Sequence, residues 1–129
     1  MKKIFVVLVL LIGVFFFLMQ RGEQAIFDSI PNRSLIVFSK QGCPHCHEAL
    51  AFINAEVKKK YPLLPVLVWD VDEDDNLNRL LTVAKRYRIP NDRLGTPFLL
   101  LNGQYMIGWK PEYKNRLLKI IQSLSAKKT

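Results

Sequence analysis

The chain has 129 residues, half of them hydrophobic, and a formal net charge of +8. That length leaves room for one compact domain and little more. The basic excess does not indicate nucleic acid. Lys58 to Lys60, Lys85, Arg86, Arg88 and the tail "SAKKT" are scattered, each near a helix end or on a polar helix face, where they favour the helix dipole and solubility.

The first predicted element is apolar. "MKKIFVVLVLLIGVFFFLMQRGEQ" places two lysines before an unbroken apolar run from Ile4 to Met19, the form of an export signal. A buried core helix is the alternative; the position at the N-terminus and the lack of a polar face oppose it. Sixteen helical residues span about 24 Å, short of a hydrocarbon core of about 30 Å, but Gln20 and Arg21 can snorkel. Gly22 and Ala25 make a poor cleavage site, which favours an uncleaved anchor in residues 1–20 over a removed signal peptide. The lysines would then stay cytoplasmic and the rest would be exported with a net charge of +6. A weak attraction to anionic headgroups fits such a chain. Residues 21–33 read as a polar linker and residues 34–129 as the domain.

Within the domain the segments alternate. "SLIVFS" (34–39) is a short apolar run of β-formers. "PHCHEALAFINAEVKKKY" (44–61) carries Cys46, Leu50, Ile53 and Val57 on one helical face. "PVLVWDV" (65–71) is again strand-like. "DDNLNRLLTVAKRYRI" (74–89) sets Leu77, Leu80, Leu81 and Ala84 at helical spacing, opened by acids and closed by bases. "PFLLLNGQYMIGW" (97–109) is two apolar runs joined at Asn102-Gly103, a hairpin signal. The last helix starts at Pro111, with Tyr113, Leu117, Ile120, Ile121 and Leu124 as its apolar stripe. The predicted order is β-α-β-α-β-β-α. The continuous apolar strands predict helices on both faces of the sheet.

Both cysteines and both histidines lie in "FSKQGCPHCHEAL" (38–50). Pro44 suits a first helical turn, which puts Cys43 at the helix N-terminus. There the free N–H groups and the dipole favour a thiolate and make Cys43 the attacking group. Cys46, one turn further in on the apolar face, can resolve a mixed disulfide. His45 between them can stabilise the Cys43 thiolate or simply face solvent. His47 can face solvent, pack on the helix, or support the site. Two other readings of the cysteines stand beside the redox one. A structural zinc site needs four ligands, and no second pair exists, although Cys43, Cys46 and a histidine could hold a soft ion such as Cu(I). A structural disulfide across two residues would stabilise little.

Pro97 opens a predicted strand, and Thr96-Pro97 is a candidate cis peptide, with a trans proline as the alternative. With these residues in view, the chain resembles the thioredoxin superfamily over roughly residues 34–125. Its predicted order, with C-x-x-C at the first strand–helix junction, is that of a minimal thioredoxin/glutaredoxin-like α/β fold with a mixed four-stranded sheet. It looks most like the catalytic domain of periplasmic Dsb-type thiol–disulfide oxidoreductases. "VFSKQGCPHCHEAL" resembles the strand, motif and helix of the isomerases in that group, while C-P-H-C is the tetrapeptide of its oxidants. "LGTPFLLLNGQYMIGWKPE" resembles their Gly-Thr-cisPro strand, Asn-Gly turn and lead into the last helix. Gly108-Trp109 stands where glutaredoxins carry a double glycine.

The resemblance implies an enzyme that exchanges disulfides with protein substrates, with Cys43 and Cys46 catalytic, Pro44 and His45 tuning them, and Thr96 and Pro97 binding the substrate backbone. It implies no cofactor, no metal and an unidentified redox partner. The isomerases carry a separate N-terminal dimerisation domain, which residues 20–33 cannot form, so a monomer is expected. The expected location is a bacterial inner membrane, held through residues 4–19 with the domain facing the periplasm, or the periplasm itself if the signal is removed. A glutaredoxin-like reductase serving one dedicated partner and a copper-binding protein of the same fold are the alternatives.

Overall fold

The computed structural model describes residues 1–28, 30–31 and 33–126, the side chains of residues 22–28 excepted. Residues 29 and 32 of the expected linker and 127–129 of the tail lie outside the described residues. The chain divides into two units, Met1–Ile30 and Pro31–Thr129.

The first unit is one helix, α1 (Lys2–Asp28). It continues past residue 20, where the sequence reading began an irregular linker. Gln, Arg, Glu and Ala in that stretch all favour helix, and a lone Gly22 does not end one. Lys2–Arg21 is long and apolar enough to cross a membrane, and none of it is buried. Those twenty residues span about 30 Å, closer to a hydrocarbon core than the apolar run alone.

The second unit is built on a four-stranded sheet of order β2-β1-β3-β4. β1 (Leu35–Ser39) leads through a short turn to α2 (Pro44–Phe52). α2 continues as a π-helical stretch, Ile53–Val57, and a last α-turn, Lys58–Lys60. β2 (Val66–Asp70) pairs parallel to β1, as a βαβ crossover requires. α3 (Asp74–Arg86) and a 3-10 turn (Asn91–Arg93) precede β3 (Phe98–Leu101) and β4 (Gln104–Ile107), which are antiparallel to β1 and to each other respectively. Asn102 and Gly103, at φ 51° and 74°, form the hairpin turn. α4 (Pro111–Ala126) closes the chain. The fold is the expected mixed four-stranded α/β sheet.

Alternating side chains of the central strands face opposite layers. Leu35, Val37, Leu99 and Leu101 pack with Ala49, Phe52, Ile53 and Val57 of the first helical path and with Leu117, Ile120 and Ile121 of α4. On the other face Phe38 meets Trp69 and Phe98 edge to face, Phe98 stacks on Tyr105 at 5.7 Å, and α3 supplies buried Leu80, Val83 and Ala84. Two expectations need correction. β2 is not covered on both faces: it is an edge strand, and Val68 is 49% exposed. α3 is also rotated from the expected face. Leu77 and Leu81 stand partly exposed, while Asn76 is buried beside Leu80. The cause is polar. The Asn76 amide donates to the Asp70 carbonyl at 3.0 Å and to the Glu73 carboxylate at 3.1 Å, and its oxygen accepts from Arg79 at 2.8 Å. A buried amide with every bond made can displace a leucine from the inner face.

Candidate active site

The parallel pair β1 and β2 ends at one edge of the sheet, and the motif lies just beyond it. Val71 donates its N–H to the Ser39 carbonyl at 2.9 Å, closing that edge. The turn then needs Gly42, which adopts φ 73°. A Cβ there would meet nothing within 4 Å, so the demand is conformational. Cys43 follows in extended backbone (φ −92°, ψ 109°) as the N-cap of α2, with Pro44 in the first turn. This is the geometry predicted from "GCPHC".

At the N-cap, the Cys43 sulfur accepts the Cys46 backbone N–H at 3.3 Å. It replaces the oxygen that a serine or aspartate cap would supply. From across the site, the Thr96 hydroxyl donates to the same sulfur at 3.7 Å, and the Thr96 carbonyl lies 3.7 Å from it as an acceptor for the thiol form. Thr96-Pro97 is cis. Pro97 is fully buried, and its carbonyl accepts from Gly108 N–H at 2.8 Å, tying the loop to the end of β4. The two segments that the sequence singled out, 53 residues apart, therefore meet at one sulfur.

The two thiols differ. Partial burial of Cys43 raises its pKa. Hydrogen bonds from the Cys46 thiol, the Thr96 hydroxyl and the backbone N–H groups of Cys46 and His45 outweigh that and hold it below the ordinary thiol value. Cys46 is buried, 1% exposed, and desolvation first, then its role as donor to Cys43, pushes its pKa up. Both cysteines are free thiols, so the structure is that of the reduced form.

The His45 imidazole is exposed and sits 3.9 Å from the Glu48 carboxylate, so its backbone N–H rather than its ring addresses the sulfur. His47 is exposed, and its backbone N–H bonds the Cys43 carbonyl at 3.2 Å in the first helical turn. Among the described residues no three His, Cys, Asp or Glu side chains converge to hold a metal. Sequence reading gave Thr96 only a substrate-backbone role, through resemblance; in the structure its hydroxyl reaches the nucleophile, a contact that reading did not include. Nothing in the sequence marks that bond, because it depends on how β3 sits beside β1.

Among solved structures the chain is similar to the glutaredoxin grx-1 of Archaeoglobus fulgidus, with a TM-score of 0.51 and 15% identity over 74% of this chain and 90% of that one. A thioredoxin of Nicotiana alata matches with a TM-score of 0.45 and 24% identity, over 78% of this chain and 85% of that one. The oxidised thioredoxin of Plasmodium falciparum gives a TM-score of 0.45 and 18% identity, over 81% and 90%. No family model and no curated protein matches the chain. The glutaredoxin likeness shows the fold: the second unit has a thioredoxin/glutaredoxin-like fold.

Proposed function

We propose that the protein is an exported, membrane-anchored thiol–disulfide oxidoreductase of the Dsb type that acts on protein substrates. One observation carries the reading: an N-cap cysteine whose sulfur collects several donors stands one turn ahead of a buried second thiol that donates to it. Donors aimed at the sulfur favour the thiolate, which is the reactive species.

The chemistry balances in either direction. The Cys43 thiolate attacks one sulfur of a substrate disulfide, a Cys43–substrate bond forms, and the other substrate sulfur leaves as thiolate. Cys46 loses its proton and attacks the Cys43 sulfur. The second substrate thiolate leaves, and the two electrons have passed from the cysteine pair to the substrate. Run backwards, the Cys43–Cys46 disulfide oxidises a substrate dithiol. Stabilising the Cys43 thiolate stabilises the reduced form, so the backward direction, substrate oxidation, is favoured relative to a pair without those donors. Thr96 and Pro97 flank the nucleophile as the platform for the substrate backbone. The redox partner restores the pair, and α1 holds the domain at the periplasmic face of an inner membrane.

The test is trapping in cells that express the full chain. Cys46→Ser should accumulate mixed disulfides through Cys43, released by reductant, and Cys43→Ser should accumulate few. Equal trapping by both variants would overturn the assigned roles.

A further inference from the structure

About one helix length from Cys43, the domain carries a surface that disulfide exchange does not use. The helical path from Pro44 to Lys60 is continuous, so its far end lies about 25 Å from the nucleophile. A groove of about 780 Å³ opens there. Its walls are Tyr61 and Leu64 from the segment after the helix and Leu124 from α4. Leu63 stands at its lip, 89% exposed, the most exposed large apolar side chain of residues 33–126. The rim is basic. Lys60 and Arg33 both line the groove, Lys58 and Lys59 are exposed in the helical turn that ends at Lys60, and the Lys60 ammonium sits 5.7 Å over the Tyr61 ring. An exposed leucine, an aromatic wall and two cations lining one groove, with two more lysines in the adjoining turn, match a bilayer interface, where acyl boundary and anionic phosphate lie side by side.

Chain connectivity supplies the second argument. Pro31 lines the groove, three residues after α1 ends at Asp28. Leu35 N–H bonds the Pro65 carbonyl at 2.9 Å, which fixes the start of β1 beside the Leu63–Pro65 segment. The chain therefore enters the domain at the groove. Beyond the apolar span, residues 22–28 add about 10 Å of helix and residues 29–31 at most about 10 Å of extended chain. With Lys2–Arg21 in a bilayer, the groove stays within about 20 Å of the hydrocarbon edge, and the headgroup layer fills part of that distance.

We propose that this groove and its basic rim dock on an anionic bilayer surface, with Leu63 at the headgroup–acyl boundary and Lys58, Lys59, Lys60 and Arg33 on lipid phosphates. The inference rests on the reading of α1 as a membrane anchor. A second copy of the chain is a poorer occupant, because it would bring two basic rims together. Docking holds Cys43 about one helix length above the docked face, so redox partners must present their thiols or disulfides from the aqueous side.

The test uses the full chain in vesicles, with Cys43→Ser and Cys46→Ser leaving single attachment sites for a nitroxide. Labels go to Phe16→Cys in the anchor, Leu63→Cys at the groove and Gln41→Cys beside the motif. Collisions with oxygen and with a water-soluble nickel chelate report depth. In vesicles of phosphatidylcholine with phosphatidylglycerol, positions 16 and 63 should be shielded from nickel and position 41 open to it. Adding Lys58→Glu, Lys59→Glu and Lys60→Glu, with folding checked by circular dichroism, should return position 63 to water and leave position 16 buried. So should vesicles of phosphatidylcholine alone. Position 63 as open as position 41, with position 16 buried, would overturn the docking and spare the anchor. Position 16 open to nickel would overturn the anchor reading and the docking with it. Position 63 shielded equally with and without anionic lipid would mean that protein, not bilayer, covers the groove, which also overturns the proposal.

Discussion

Cys43 and Cys46 are one helical turn apart, yet their surroundings push their thiols in opposite directions. The difference is a matter of donors and burial. Cys43 collects the free N–H groups of a helix start, a hydroxyl and a neighbouring thiol; Cys46 is sealed under the sheet edge. Alkylation of the reduced protein by iodoacetamide across pH should therefore show Cys43 reacting with a midpoint below the ordinary thiol range, and Cys46 reacting slowly throughout. Thr96→Val removes one donor and should shift the Cys43 midpoint upward, slowing its alkylation several-fold near neutral pH. His45→Leu keeps the backbone N–H and loses only an exposed ring turned to Glu48, so it should move the midpoint less. A larger effect from His45→Leu would show that the ring does the tuning. The same depression has a stability sign. Between the folded Cys43 pKa and the unfolded thiol value, the unfolded chain binds a proton that the folded chain has lost, so stability of the reduced protein should rise with pH in that window. Relative to wild type, Cys43→Ser should lack that rise in urea denaturation. Of these residues, the sequence made the Cys43 cap, the Pro44 turn and the Thr96-Pro97 loop legible. The direction of the His45 ring was not, because it depends on Glu48 one turn away and on which side of the helix is open.

At the scale of elements, most of the order was readable from periodicity and turn chemistry, and the exceptions share a cause. Leu77 and Leu81 matched a helical stripe as well as Leu80 and Ala84 did, so spacing alone could not choose the inner face of α3. Asn76 chose it, by binding the carbonyl that ends β2 and the Glu73 carboxylate that starts the helix. β2 reads as apolar throughout, like β1, but whether a strand is central or at an edge is set by pairing order, which its own residues do not encode. The π-helical stretch Ile53–Val57 is equally silent in the sequence; it follows a helix in which the adjacent Phe52 and Ile53 both face the core. At its C-terminus α3 ends with Arg88 at φ 57°, where Ile89 N–H reaches the Ala84 carbonyl at 2.8 Å, a helix stop usually built on glycine. The Asn76 bond set makes a direct prediction. Asn76→Ala should destabilise the protein by about 1–3 kcal/mol in urea denaturation, since its bonds to the Asp70 carbonyl, the Glu73 carboxylate and Arg79 are lost together, the Asp70 carbonyl keeping only the Glu73 N–H at 3.2 Å. Asn76→Leu should not recover the loss. Recovery by leucine would mean that the site wants volume rather than hydrogen bonds.

For the whole molecule, the division of labour follows from composition. An apolar span, Lys2–Arg21, none of it buried, precedes a domain with its own sealed core. Export and anchoring predict that the full chain stays with membranes after alkaline carbonate and that its intact mass begins at or near Met1. A mature mass starting near Gln24 or Ala25, with the protein in the soluble fraction, would contradict the anchor. The central claim is that Cys43 and Cys46 form a reversible two-electron pair. Equilibrating the full chain in glutathione buffers of graded potential, then trapping thiols after acid quench, tests it most directly. A redox pair of this kind should convert from two free thiols to one internal disulfide in a single transition of about 30 mV per tenfold change, at a midpoint less negative than the roughly −270 mV of thioredoxin. Two thiols that stay reduced in every buffer, or that end as separate glutathione adducts with no internal disulfide, would contradict it.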